Sequence, residues 1–387
     1  MNRRTAIQFM LAGASALALG GHRAALAQQG PVKIGFHAPL TGFAAADGKS
    51  AQLGAELAVA QANAAGGIGG RKIELDIIDD QGKPEQGVPV ANRYIGEKHP
   101  VVVSGSYSGP TRAAAPVFHG ASVPYISAYA IHPDITRSGN YVFRTSFMGE
   151  VQGRAGAKLV GEMLNKKKVV VITVNNDFGQ ALAAGFKEAA PKFGINIMKE
   201  YFFGMPDRQF GPLVASVKAD NPEAIYASGY FFNAGPLVAQ LRGAGVNVPI
   251  IGQEGYDGQK FIEIAGPAAE GVIITTSLDR DSKVPETVKF ITEFEKANPG
   301  AKVDMVAAST HTATRVAIEA LKKAGLTDRA KIREAIAATD MDASTGHISF
   351  NKLGEVKKAV QNQIVKDGRW RHHSVIDDPV LLAPPES

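Results

Sequence analysis

The chain has no cysteine in its 387 residues. That excludes a disulfide framework, thiolate clusters, Cys-containing zinc sites and a cysteine nucleophile. Tryptophan occurs once, and charged residues make up 20% against 45% apolar. A disordered chain would carry more charge and a polytopic membrane protein far longer apolar runs, so this composition, with a mean hydropathy of −0.05, describes a globular protein. Glycine and proline, 42 and 21 residues, are too scattered for a fibrous protein. The nine histidines show no His-x3-His spacing, and His372-His373 read as part of a polar tail, so neither a metal site nor a cofactor is expected. What remains is chain enough for two to three domains with sizeable cores.

Residues 1–27 read as an export signal. Arg3-Arg4 open an apolar stretch from Ile7 to Gly21, and Ala25-Leu26-Ala27 is a small-x-small cleavage site, with the cut after Ala27. The arginine pair, with Arg23 before the cut, suggests the twin-arginine route, although Ala6-Ile7 stand where a bulkier apolar pair is usual. The run is shorter than the roughly 20 residues of a spanning helix. With no cysteine at the cut, a lipid anchor is excluded. A periplasmic location follows. Arg3, Arg4 and Arg23 leave with the signal, so 39 basic residues face 37 acids in the remainder, and the net charge gives no reason to expect nucleic acid. Lys166-Lys167-Lys168, the densest basic run, follows a helix pattern and reads as a solvated helix end.

Beyond residue 30, short β-branched runs alternate with longer amphipathic stretches. Strands are expected at Val32–Ala38, Lys72–Ile78, Val101–Val103, Pro124–Ser127, Val169–Val174, Ala224–Ser228, Pro249–Ile251, Gly271–Thr276 and, late, Ala359–Val365. The intervening periodicity predicts helices at Ser50–Ala64, Pro84–Lys98, Thr111–His119, Val151–Asn165, Gln180–Phe193, Phe210–Asp220 and Ala234–Ala244. Further helices are expected at Pro285–Ala297, Met305–Ala324 and Ile332–Ala338, with a short turn-rich piece after them. Pro84 sits at a first turn, while Gly66-Gly67 and Gly243–Gly245 act as stops. The alternation runs once before about residue 147 and again to 276, which implies two parallel α/β lobes with a cleft between them. Ligands of such sheets bind at the carboxyl ends of strands.

Several segments carry candidate chemistry. Gly105-Ser106-Tyr107-Ser108-Gly109 follows an apolar strand and precedes a helix, the setting of a nucleophile elbow. Asp279 or Asp304 and His311 or His347 follow in the chain order of a triad, which keeps a serine esterase as an alternative. The same hydroxyls and helix N-terminus would bind a carboxylate without attacking anything. The glycine-rich Gly66–Lys72 follows a helix and precedes a strand, the reverse of a phosphate loop. Asp79-Asp80 read as capping the turn before Pro84, and Phe43, Phe202-Phe203 and Phe231-Phe232 as core.

The segments Val32–Gly35, Ala38–Gly42, Gly54–Ala58, Asn63–Ile68 and Asp79-Asp80 resemble the opening of the branched-chain amino-acid-binding (Leu/Ile/Val-type) periplasmic proteins. The similarity continues through Val103–Thr111, Pro124–Ser127, Asp177-Phe178-Gly179, Tyr226–Tyr230 and Gly252–Gly255, and spans residues 31–370. It implies a type I periplasmic binding fold, a Venus-flytrap of two Rossmann-like lobes joined by three hinge crossovers. It further implies a non-enzymatic, monomeric protein that delivers a small solute to the membrane permease subunits of an ABC importer. Lobe 1 is expected at 31–147 plus 279–355, and lobe 2 at 148–278 plus 356–387. A receptor that reports to a membrane kinase uses the same fold.

By this resemblance Ser108 binds the ligand carboxylate, helped by N–H groups around Tyr107. The loop of Tyr129, Ala130 and Ile131 meets both carboxylate and ammonium, and Tyr230 and Glu254 bind the ammonium. Chemically the arrangement is sound, since a zwitterion in a dry cleft needs donors at one end and an acid at the other. Three departures bear on the solute. Ile131 replaces a threonine, Asp47 replaces an aromatic residue, and Gly82 and Tyr107 stand where the family has a disulfide pair. With Tyr107 and Tyr129 beside Phe178, an aromatic amino acid or aromatic carboxylate joins the branched-chain amino acids as a candidate. Glu254 favours a solute carrying an amine or amide.

Overall fold

The computed structural model describes residues 30–386, so the export signal and its cleavage site lie outside the described residues. The fold is built on two sheets, each the core of one lobe. The first holds β1 (Val32–Ala38), β2 (Ile73–Asp79), β3 (Val102–Ser104), β4 (Tyr125–Ser127) and β5 (Val142–Arg144), all parallel in the order β2-β1-β3-β4-β5. The second holds β6 (Lys168–Val174), β7 (Asn196–Phe203), β8 (Ala224–Ala227), β9 (Ile250–Gly252) and β10 (Ile273–Thr276), extended by β13 (Val360–Lys366) and β14 (Arg369–Ile376). Its order is β14-β13-β10-β9-β8-β6-β7, with β13 alone antiparallel to its neighbours β10 and β14. A hairpin, β11 (Asp340–Ala343) and β12 (Gly346–Ser349), stands apart. Central strands such as β3 and β8 are buried on both faces, which is why they read as unbroken apolar runs.

The helices that position the cleft are α1 (Ala45–Ala64), α2 (Pro84–Gly96), α3 (Ser108–Gly120), α4 (Gly149–Lys158), α5 (Asp177–Ala189), α6 (Gly211–Asp220), α7 (Phe231–Gly243), α8 (Gln259–Ala265), α9 (Pro285–Ala297), α10 (Met305–Ala324) and α11 (Arg329–Ala337). The small residues of α1 let α10 lie close upon it. A β-carbon on Gly54 would fall 2.2 Å from the carbonyl oxygen of Ala307, so only glycine fits. The chain crosses between the sheets three times: after β5, after β10, and between β12 and β13. The first and third crossovers are tied together, since the Arg144 N–H donates to Gly354 O at 2.9 Å and Lys358 Nζ to Thr145 O at 3.0 Å.

Three strands differ from the sequence expectation. The C-terminal stretch with His372-His373 is strand β14, where His372 Nδ1 lies 2.9 Å from Asp279 Oδ2. Strands β5 and β7 also escaped the periodicity. β7 is an edge strand of mostly half-exposed residues, and β5 is only three residues long and ends in an arginine.

Candidate functional site

Every expected site residue follows the carboxyl end of a parallel strand. Tyr107 and Ser108 follow β3, Tyr129, Ala130 and Ile131 follow β4, Phe178 follows β6, Tyr230 follows β8 and Glu254 follows β9. Seven of the eight line one cavity between the sheets, together with Asp47, Gly255, Met305 and Val306. Ile131 does not line it, but its N–H donates to Ser108 Oγ at 3.1 Å.

On the first lobe Tyr107 is the extended residue before α3 and Ser108 is the first of the helix, so the Ser108 hydroxyl sits at the helix N-terminus with the free N–H groups of that turn. The Tyr129 hydroxyl donates to Gly105 O at 2.6 Å, fixing the β4 loop against the β3 turn. Arg144, fully buried, clamps the loop by donating to the carbonyls of Ala130 and His132, both at 2.8 Å, while pairing with fully buried Glu355 at 2.9 Å. The Ser127 hydroxyl also donates to Ala130 O. That carbonyl is therefore fully engaged.

On the second lobe Tyr230 caps α7 through a reciprocal bond with Asn233, and its hydroxyl accepts from Asn176 Nδ2 at 3.1 Å. Its ring stands 4.8 Å from that of Phe178 and 4.5 Å from that of Tyr107 across the cleft, so the lobes are closed on one another. Gly82, at one place of the family's disulfide pair, lies beside the Tyr107 ring, and its φ of 66° is in the left-handed region that favours glycine. Glu254 occupies a tight turn after β9, and neither carboxylate oxygen has a partner. Its neighbour must be glycine, because a β-carbon at Gly255 would fall 2.1 Å from Gly229 O.

Burial governs the electrostatics. It pushes the Glu254 carboxyl up to about 8, with the Lys358 and Arg144 cations pulling down and Asp257 pushing further up. It likewise pushes Asp47 up to about 8, opposed by the hydrogen bond from Tyr107 and reinforced by Asp304 and Asp257. Lys358 is buried too, and its ammonium is pushed down to about 7 although Glu254 favours the charged form. The cavity thus holds an acid that costs free energy to ionise and that gains most from an incoming cation.

The esterase alternative fails on geometry. The centre of the Gly105–Gly109 turn is Tyr107, where an elbow needs serine, and no histidine bonds Ser108 among the described residues. His311 Nε2 pairs with Gln61, His347 with Asp340 and Asp342, Asp304 with Ser50, and Asp279 with His372. The expectation of no metal ligands meets one cluster among the described residues, Asp76, Glu97 and His99, whose ligand atoms lie within 4.8 Å of one another. It lies outside the cleft, and Arg93 pairs with both acids. Periodicity missed Arg144, Lys358, Met305 and Val306. The first two look like surface cations, and nothing in the sequence brings the start of α10 to the cleft.

Two α/β lobes closed over a cavity, with a helix N-terminus and a hydroxyl on one side and an unpartnered acid on the other, define a two-lobed solute-binding protein. The periplasmic binding protein model matches residues 31–365, and the chain belongs to that family of extracytoplasmic binding proteins. It is 30% identical over 354 residues to the Leu/Ile/Val-binding protein of Escherichia coli K12, covering 90% of this chain and 93% of that one. The substrate-binding protein LivJ of Streptococcus pneumoniae, solved with isoleucine, has a TM-score of 0.84 and 28% identity, over 89% of this chain and 99% of its own. A solute-binding protein of an ABC transporter from R. palustris, solved with benzoate, has a TM-score of 0.81 and 25% identity, over 92% and 99%.

Proposed function

We propose that the protein is the solute-binding component of an ATP-driven importer and holds an amino acid between its lobes. Residues 31–147 with 279–355 form the first lobe, and 148–278 with 356–387 the second. The observation that carries this reading is the opposition of Ser108, with the free N–H groups of α3, to the unpartnered Glu254 in one cavity. The solute's carboxylate lies on the α3 turn, with its ammonium between Glu254, Tyr230 and the Tyr129 carbonyl. Contacts to both lobes supply the differential affinity that stabilises closure. The protein performs no catalysis, works as a monomer in the periplasm, and is exported by the signal at residues 1–27. Its partners are the importer's permease subunits, to which it hands the solute.

An aromatic carboxylate is the second reading, favoured by the rings of Tyr107, Tyr129, Phe178 and Tyr230 and by the benzoate-bound neighbour. A benzoate has no donor for Glu254, which weighs against it. Thermal-shift screening of the protein from Gln28 onward against amino acids, their amides and benzoates, followed by calorimetry, tests the two. Stabilisation by amino acids and not by benzoates supports the first. Stabilisation by benzoates alone replaces it with the second.

A further inference from the structure

One polar group of the cavity has no task in this reading. Asp47 lies in the first turn of α1, after the carboxyl end of β1, and its side chain is buried. The Tyr107 hydroxyl donates to its Oδ2 at 2.7 Å, which ties the carboxyl to another residue of the cavity wall. Asp47 belongs to the first lobe and Glu254, after β9, to the second, so the two acids reach the cavity from opposite sides of the cleft. Three polar points therefore face the solute: the Ser108 turn, Glu254 and Asp47. An amino acid satisfies the first two with its carboxylate and ammonium. The third falls to its side chain.

Resting on the proposed amino-acid binding, we propose that Asp47 is a specificity residue that selects side chains ending in a hydroxyl or amide over aliphatic side chains of the same shape. An aliphatic end pressed against Asp47 excludes water from a buried acid and returns no hydrogen bond. A hydroxyl or amide can donate to the carboxylate or accept from the protonated acid, so it fits whichever form is present. Met305 and Val306 supply apolar wall, which keeps the site selective for a compact group.

The test uses two shape-matched pairs, valine with threonine and leucine with asparagine, measured by calorimetry on the wild-type protein, Asp47→Asn and Asp47→Leu. In the wild type the polar member of each pair should bind at least about tenfold more tightly. Asp47→Leu should reverse the preference, and Asp47→Asn, which keeps an acceptor for Tyr107, should retain part of it. Wild-type protein that binds leucine and valine as tightly as their polar partners overturns the inference and leaves the amino-acid reading standing. A wild-type preference unaltered by either substitution also overturns it. Failure of all four to bind overturns the inference, and the thermal-shift screen with the remaining amino acids then decides the amino-acid reading. The wild-type ratio needs no variant, so it decides even if Asp47→Leu does not fold.

Discussion

Replacing Glu254 by glutamine should move affinity and stability in opposite directions. The carboxyl is buried, its oxygens are unpartnered, and burial pushes it from 4.5 up to about 8. Below about pH 4.5 the group is protonated in both folded and unfolded chains and costs nothing. As the pH rises the unfolded chain ionises while the folded one holds its proton, so stability is lost up to about pH 8 and no further. At pH 7 this amounts to about 3 kcal/mol. Glu254→Gln removes that loss, so the unliganded variant should melt roughly 5 °C higher at pH 7, and the gain should vanish near pH 4. Affinity for the amino acid should meanwhile fall about a hundredfold, since a charge-assisted hydrogen bond in a dry site is worth roughly 1.5 to 3 kcal/mol. Scanning calorimetry across pH 4 to 8 and titration calorimetry at pH 7 read the two effects. Unchanged affinity would remove Glu254 from the ammonium site, and a melting difference that shrinks as pH rises would refute the electrostatic reasoning.

Other sites give separate checks. Ser108→Ala should weaken solute binding ten- to a hundredfold by titration calorimetry; wild-type protein should show no burst with activated esters, and a burst lost in the variant would revive the hydrolase reading. Arg144→Met leaves Glu355 buried without its partner and frees the carbonyls of Ala130 and His132, so denaturant unfolding should show a loss of about 3 to 5 kcal/mol. A loss under about 1 kcal/mol would mean that the clamp carries little. Because Lys358 pulls the Glu254 carboxyl downward, Lys358→Met should push the pH at which solute affinity levels off upward, and an unchanged affinity–pH profile would sever that link.

Much of the architecture was readable from apolar periodicity alone, because the central strands and the core faces of the helices are set by burial. The readings that slipped share a cause. Sequence periodicity started α1 at Ser50, α3 at Thr111, α5 at Gln180 and α7 at Ala234, whereas the helices begin three to five residues earlier. The missing first turns, or the capping residue just before them, hold Asp47, Ser108, Phe178 and Tyr230. Those residues face the cleft instead of the core, so they break the apolar pattern on which the reading depends. Strand β5 slipped because Arg144 looks like a surface residue, although its guanidinium is wholly enclosed by loop carbonyls and Glu355.

The sequence by itself determined the two α/β halves, the glycine stops, and the residue types at seven of the cavity's wall positions, since these follow from local periodicity, turn chemistry and motif resemblance. Only the tertiary structure decided that Ser108 and Glu254 share one cavity, that Met305 and Val306 close it, and that Asp47 is a third polar point within it. These relations join residues far apart in the chain through the packing of the two sheets. The perturbed acids follow from that packing as well, because desolvation is a property of the closed cleft and of no single segment.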